Sequence, residues 1–215
     1  MPGSIKRRPG RPPAAEADET RLRIMHAARL VFSERGYDGA TFQAIAERAR
    51  LTRPAINHYF SSKQTLYRAV LDATNDTVLR AGINQAERET TLTARLSTFI
   101  AAAVNANSAC PAGSALLVTG ILESQRHPEW TGSGNDTVRI SREFLYRVVN
   151  DAVERGELDA ETDASEMAEA LLVVLFGLGL YAGYVQGYQE MSAAIERVRP
   201  ILLDRRMWRP DHEGN

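Results

Sequence analysis

Two short helical patterns separated by only three residues constrain this chain more than any other feature. They cover residues 42–49 and 53–59, and each follows a threonine, Thr41 or Thr52, that can cap a helix N-terminus. Pro54 falls in the first turn of the second helix, where its missing N–H would have no intrahelical partner in any case. Two helices of this length with so tight a link predict a helix-turn-helix.

The two faces of this motif differ in the way that a groove-reading helix requires. One helix braces the other, so the inner faces need apolar side chains and the outer faces need polar ones. The predicted inner faces consist of Phe42, Ile45, Ala46, Ala49, Leu51, Ile56 and Phe60. The predicted outer positions, all able to hydrogen-bond to bases or phosphates, are Gln43, Arg53, Asn57 and His58.

The charge is distributed unevenly along the chain. Residues 1–68 carry 13 Lys and Arg against 6 Asp and Glu, whereas residues 69–215 carry 13 against 21. A basic front end suits a polyanion and an acidic body does not, so nucleic acid is the expected partner of the first part only.

The rest of the chain is also helical in pattern. Apolar residues at helical spacing predict further segments at 18–36, from Ser61 or Ser62 through 71, and at 91–107, 114–126, 137–155, 163–187 and 192–206. No stretch alternates as a strand would. The prediction is an all-α fold of about nine helices, with a disordered basic arm at 1–17, a three-helix helix-turn-helix domain at 18–68, and a second helical domain at 69–215.

Composition bears on the expected cellular location of the protein and on its disulfides and metal sites. A single cysteine, Cys110, excludes an intramolecular disulfide and offers no metal-ligand spacing. The N-terminus is basic but lacks a following apolar core, so no signal peptide is expected. The longest uncharged apolar run, residues 170–185, is shorter than the roughly 20 residues that span a bilayer. A cytoplasmic protein with no membrane partner, metal or cofactor is expected.

The stretch from residue 28 to residue 71 resembles the N-terminal domain of TetR/AcrR-family regulators. The matching landmarks are Phe32, Glu-Arg-Gly-Tyr at 34–37, Thr41, Ile-Ala-Glu-Arg-Ala at 45–49, Tyr59-Phe60, Ser62-Lys63 and Leu66. The resemblance implies a sequence-specific transcriptional regulator, most often a ligand-responsive repressor acting as a homodimer on double-stranded operator DNA. The same resemblance implies that 69–215 is the effector-binding and dimerisation domain. It also implies DNA contacts at Thr41, Gln43, Thr52, Arg53, Asn57, His58, Tyr59 and Lys63, the last helped by a helix N-terminus.

Three residues depart from the family's pattern. Arg50 stands where the family usually has glycine, at a position that often needs a left-handed turn. Pro54 replaces a small residue and removes one N–H donor, and Asn57 stands where tyrosine is common. Asparagine can bond adenine N6 and N7 together, so we hypothesise that Asn57 reads an adenine. A phosphate contact or a solvated surface position is the alternative.

The N-terminal arm carries Arg8 and Arg11 among prolines and glycines. Extended, proline-flanked arginines fit the narrow minor groove of A·T-rich DNA, which predicts a minor-groove contact. A solubilising tail with nonspecific charge is the alternative.

The helix predicted at 163–187 is apolar on all sides between Leu171 and Val185, so it must be buried on more than one side. Gly179, Gly183 and Gly187 recur every fourth residue and would allow another helix to approach closely. With the last helix, this predicts a two-fold interface that includes Gly179, Gly183, Gly187, Val198 and Leu202. The alternative is that these residues belong to the core of one chain.

Apolar and aromatic residues between the C-terminal helices are candidates for an effector pocket. They are Phe99, Val104, Leu117, Ile121, Trp130, Phe144, Val148 and Phe176. No charged residue lies in 96–122, which favours a small hydrophobic or amphipathic effector. Such residues are also ordinary core residues, and that alternative applies to each of them.

Two other classes of protein remain to be weighed. An enzyme would need a recognisable constellation, but the four histidines do not cluster with acids or nucleophiles in sequence, and no catalytic motif occurs. We therefore predict no catalytic residues. A ligand-independent architectural DNA-binding protein is the second alternative, and the acidic C-terminal body argues against it.

Overall fold

The computed structural model describes residues 14–109, 112–127, 136–184, 190, 193–194, 196–198 and 200. Within these ranges every regular element is helical. The elements are α1 (Ala14–Gly39), α2 (Phe42–Ala49), α3 (Arg53–Tyr59), α4 (Lys63–Thr74), a π-helical turn (Asn75–Arg80), α5 (Ala81–Ala86), α6 (Leu92–Ala109), α7 (Gly113–Arg126), α8 (Thr137–Glu154) and α9 (Ala164–Tyr184). The predicted all-α fold is confirmed.

The first helix differs from the prediction at both ends. It begins at Ala14, inside the predicted disordered arm, because Ala14, Ala15 and Ala17 are strong helix formers and Glu16 suits the positive end of the helix dipole. At Gly36 the backbone leaves the helical region, with φ 68° and ψ 178°, a conformation open only to glycine. The helix is kinked there, where the sequence predicts its end.

The segment after α4 was not predicted. The helix continues past the proposed domain boundary at residue 68, then passes through the π-helical turn into α5. Asn, Asp, Thr and Gly in this segment are weak helix formers, so its pattern gave little signal. Tertiary contact supports it instead, since the buried Asn75 accepts a hydrogen bond at 3.0 Å from the Thr137 hydroxyl on α8.

Two cores hold the helices together. The N-terminal core joins α1 to α4 and includes Ile24, Phe32, Ile45, Ile56, Phe60, Leu66, Tyr67 and Val70, together with Leu116 of α7. The C-terminal core joins α6, α8 and α9 and includes Leu96, Phe99, Phe144, Leu145, Val148, Met167 and Leu171. Helix α7 therefore supplies a residue to the N-terminal core although it lies far beyond it in sequence.

Helix α9 has one packed side and one exposed apolar side. Met167 and Leu171 are buried in the C-terminal core, whereas Val173, Leu180 and Tyr181 keep 70%, 53% and 44% of their surface exposed. By length and composition alone, its window Ala164–Tyr181 is apolar enough to cross a membrane. The uncharged run at 170–185 is too short to predict such a span, and the longer window includes residues 164–169 of the same helix.

Gly179 makes a close contact within its own chain, and its place in an interface between chains stays a prediction. A Cβ at this residue would lie 2.7 Å from Cγ2 of Val118, so Gly179 is where α9 crosses α7 within one chain. Val198, another predicted interface residue, packs partly against the C-terminal core of its own chain. Gly183 lies on α9, but its surroundings are not among the described features. Gly187 and Leu202 lie outside the described residues.

Candidate DNA-binding surface

The turn between α2 and α3 is built around a left-handed residue. Arg50 has φ 53° and ψ 46°, and its N–H bonds back to the carbonyls of Ala46 and Glu47. The N–H of Leu51 also bonds to the Ala46 carbonyl, at 2.9 Å, which closes the end of α2. Arg50 thus takes the left-handed conformation that the sequence analysis expected at this position.

Each helix of the motif begins at a capping hydroxyl. Oγ1 of Thr41 accepts from the N–H of Ala44 at 3.1 Å, and Oγ1 of Thr52 accepts from the N–H of Ala55 at 3.4 Å. Ser62 caps α4 in the same way. Both threonines are exposed, and accepting a bond leaves the hydroxyl proton available for a phosphate oxygen. A capping role and a phosphate contact are therefore compatible.

The outer face of α3 is polar and open. Arg53, Asn57 and His58 are exposed, whereas Ile56 on the opposite side has no exposed surface. Arg53 and Asn57 are four residues apart and so share one face. The Tyr59 ring lies edge-on to the His58 ring, with centroids 5.3 Å apart, which places it beside this face.

Gln43 of α2 is exposed but partly engaged. Its side-chain N–H donates to the Glu47 carboxylate at 2.8 Å. The amide keeps its carbonyl oxygen and a second N–H, so a backbone contact from this side of the motif needs no rupture of that bond.

Lys63, at the first position of α4, contacts carbonyl groups near the end of α1. Its ammonium donates to the carbonyls of Tyr37, Asp38 and Ala40 at 2.8, 3.3 and 3.2 Å, and it lies 4.3 Å from the centre of the Tyr37 ring. All three donors of the ammonium have partners. In this structure Lys63 therefore fastens α4 to the end of α1, and a phosphate would have to replace one of these carbonyls.

Two further contacts hold the motif on α1. Arg48 of α2 forms a two-pronged ion pair with Glu34, with distances of 2.8 and 2.6 Å, and this hydrogen-bonded pair lowers the pKa of the Glu34 carboxyl. The guanidinium of Arg21 lies over the Phe60 ring, 4.7 Å from its centre. Neither supporting role was predicted, because the partners are separated in sequence.

The candidate effector residues are distributed over more than one cluster. Phe99, Phe144 and Val148 are buried in the C-terminal core, where the rings of Phe99 and Phe144 lie 5.0 Å apart, and Phe176 packs at its margin. Leu117 packs instead with Val78. Ile121 is half-buried on α7. Trp130, the side chain of Val104, and the arm residues Arg8 and Arg11 lie outside the described residues.

The interface predicted for this helix names its glycines, whereas the structure exposes an apolar side formed by other residues of α9. Val173, Gly177, Leu180 and Tyr181 recur at intervals of four, three and one, which is a single helical face. An apolar pattern on all sides of the helix concealed which face is covered by its own chain. The structure distinguishes the covered side, with Met167 and Leu171, from the exposed side, with Val173, Leu180 and Tyr181.

A short brace helix, a left-handed turn and an open polar helix on a three-helix core define a helix-turn-helix DNA-binding protein. A family profile described as bacterial regulatory proteins of the tetR family matches residues 24–70. The regulator SrpR of Pseudomonas putida is 32% identical over 178 residues, covering 79% of this chain and 78% of that protein. The chain belongs to the TetR family of transcriptional regulators, and it is a DNA-binding protein rather than an enzyme.

Two other relatives bear on the site. The A-factor receptor protein of Streptomyces griseus is 27% identical over 194 residues, covering 87% of this chain and 64% of that protein. A cysteine variant of the regulator CifR, solved with 26-base-pair double-stranded operator DNA, has a TM-score of 0.66 and 26% identity, covering 89% of this chain and 98% of that one.

Proposed function

We propose that this protein is a ligand-responsive repressor that binds operator DNA as a homodimer. Residues 18–68 would make the DNA contacts, with the arm before them, and residues 69–215 would bind the effector and the second copy. The observation that carries the proposal is the polar face of α3, where Arg53, Asn57 and His58 are exposed opposite the buried Ile56.

The exposed face of α3 is the surface that would enter the major groove. Arg53 and Asn57 would meet base edges or phosphates, while Thr41, Gln43 and Thr52 would meet the backbone on either side. Support comes from CifR, a relative of the same fold that was solved on operator DNA. Arg8 and Arg11 would add a minor-groove contact, so deletion of residues 1–13 should reduce the salt dependence of binding.

Asn57 is proposed to read an adenine. The test is the binding of Asn57→Ala to an operator and to its single-base substitutions, beside Gln43→Ala as a variant of a residue expected to touch only backbone. Loss of discrimination at one base pair, by about 1–3 kcal/mol, is the expected result for Asn57→Ala. A uniform loss over all substitutions, as expected for Gln43→Ala, would show that Asn57 makes no base contact.

The exposed face of α9 is proposed as the interface between the two copies. Val173, Leu180 and Tyr181 offer a continuous apolar strip beside a packed core, and burial of such a strip is favourable. Two copies joined there would hold two recognition helices at a fixed separation, as a palindromic operator requires. Gly179 is excluded from this strip because it faces α7.

Sedimentation of Leu180→Glu tests the interface. Leu122→Glu on α7 is the matched control, because Leu122 is 50% exposed and Leu180 53%, and both changes add one charge. We expect dimers for the wild type and the control, and monomers for Leu180→Glu. A wild-type monomer, or one that partitions into lipid vesicles through α9, would contradict the proposed interface.

The effector is proposed to be small and apolar or amphipathic. Phe99, Phe144, Val148 and Phe176 lie at the meeting of α6, α8 and α9, so a ligand entering there would separate these helices. A relative covering most of this chain is named as a receptor, which supports a ligand-binding body. Ligand binding would then change the separation of the recognition helices and release the operator.

Footprinting on DNA flanking the protein's own gene, followed by a screen of apolar compounds for release, tests this function. A true effector should release the DNA and also raise the unfolding temperature of the DNA-free protein. A compound that releases DNA without raising that temperature acts on the DNA. Binding that no compound affects would favour the ligand-independent architectural alternative.

A further inference from the structure

Three side chains with metal-binding atoms meet where the end of α1 touches the end of α7. Asp38 follows the kink at Gly36, Glu123 lies in the last turn of α7, and His127 is the residue after α7. One donor atom from each lies within 4.8 Å of the others, and His127 Nε2 is 3.4 Å from Asp38 Oδ1. Sequence spacing could not reveal this group, because Asp38 is far from the other two along the chain.

Glu123 is the unusual member of this group. It retains only 7% of its surface. Its Oε1 accepts from the N–H of Tyr37 at 3.3 Å, while its buried Oε2 has no hydrogen-bond partner in the part of the chain that the structure describes. An ionised carboxylate buried in this way is unfavourable unless a cation or a donor reaches the second oxygen.

The neighbouring Arg126 does not neutralise the buried Oε2 of Glu123 by direct contact. Arg126 approaches Oε1 rather than Oε2, at 3.7 Å, and its side chain is 69% exposed. It can swing into solvent without disturbing the backbone. One carboxylate oxygen of Glu123 lies within 4.8 Å of a donor atom of Asp38 and of one of His127, so an ion held between the three residues would reach this buried carboxylate.

We propose that Asp38, Glu123 and His127 bind a divalent transition-metal ion such as Zn²⁺. One imidazole and two carboxylates form a donor set that suits such an ion, and three protein ligands leave a fourth position for water. Metal–ligand bonds of about 2.0–2.2 Å place neighbouring tetrahedral ligands about 3.4 Å apart. The His127–Asp38 separation already has this value.

The ion would join the DNA-binding part of the chain to α7. The Lys63 ammonium donates to the carbonyl of Asp38 and to those of Tyr37 and Ala40 on either side of it. Thr41, which caps α2, follows immediately. An ion at Asp38 would thus fix α7 against the segment that positions both α2 and α4. Metal binding at this place would be separate from the binding of any effector in the C-terminal core.

Titration of the untagged, chelator-treated full-length protein with Zn²⁺ tests the site, with Co²⁺ as a spectroscopic probe. We expect one ion per chain, the visible absorption of four-coordinate Co²⁺, and a rise in the unfolding temperature with Zn²⁺ concentration. His127→Ala and Asp38→Asn should weaken binding on the order of 100-fold. His26→Ala, which removes an exposed histidine of α1 outside the group, should leave it unchanged.

Glu123→Gln separates a metal-binding role from a structural one. Glutamine retains an oxygen for the Tyr37 N–H and removes the buried charge, so the metal-free variant should be at least as stable as the wild type while its Zn²⁺ affinity falls. A metal-free variant that is less stable, with unchanged Zn²⁺ affinity, would overturn the proposal. Equal weakening by His26→Ala and His127→Ala, or binding only at several ions per chain, would overturn it as well.

Discussion

Adding a single methyl group to α9 should have opposite effects at two glycines that are two residues apart. At Gly179 the new Cβ would lie 2.7 Å from Cγ2 of Val118. Valine is rigid about χ1, so it cannot swing aside and the helices must separate. At Gly177 no atom of the same chain lies within 4 Å of the new Cβ.

The magnitude follows from two contributions. Replacing glycine by alanine within a helix is favourable by about 1 kcal/mol at either site. Overpacking at Gly179 adds a penalty of about 1–3 kcal/mol, so Gly179→Ala should be neutral to destabilising by about 2 kcal/mol. The difference between the two variants cancels the helix term and should itself be about 1–3 kcal/mol.

Urea unfolding of both variants, followed by circular dichroism over a range of protein concentrations, measures this difference. The concentration series is needed because association adds to the apparent stability of a dimer, and Gly177 lies on the proposed interface. Gly179→Ala as stable as Gly177→Ala at every concentration would refute the close crossing of α9 over α7. A loss at Gly177→Ala that grows with concentration would instead reveal a close contact between copies.

Three further changes have defined outcomes. Arg50→Gly should raise the free energy of unfolding by up to about 1 kcal/mol, because glycine adopts the left-handed turn without strain. Thermal unfolding measures this change. A lower free energy of unfolding would mean that the arginine side chain stabilises the turn. Lys63→Met should lower the free energy of unfolding by about 2 kcal/mol, because the charge-assisted hydrogen bonds to the end of α1 are lost. An unchanged unfolding temperature would refute the stabilising role of these bonds. The pKa of Glu34 is lowered by Arg48, so their pair stabilises the fold above the ordinary pKa of glutamate and ceases to do so as the pH falls through the lowered value. Glu34→Gln should therefore be slightly less stable than the wild type at neutral pH and equally stable in acid, whereas a difference that persists in strong acid would exclude the ion pair as its cause.

Local signals predicted the helix-turn-helix well. Thr41 and Thr52 are caps, and Arg50 is left-handed, because each of these features depends on a few neighbouring residues. The apolar period likewise located α6 to α9, since burial repeats with the turn of the helix.

The failures concern which elements meet. The glycine spacing in α9 predicts a close approach but does not state against what, and at Gly179 the neighbour is α7 of the same chain. The phosphate contact of Lys63 that the resemblance implies stays a prediction, but the sequence does not predict the three carbonyls near the kinked end of α1 that its ammonium reaches. Asp38 and Glu123 come together only through the packing of α1 on α7.

Leu116 of α7 has consequences for the engineering of chimeric regulators. It is buried in the N-terminal core beside α1 and α4, and Gly120, one turn later, lies against Leu71 and Tyr67. A DNA-binding domain cut at residue 68 and grafted onto a foreign body would expose the surface that these residues cover. A transplant that retains operator specificity should therefore carry a matching α7 surface, and exchange is expected to succeed only between bodies that share it.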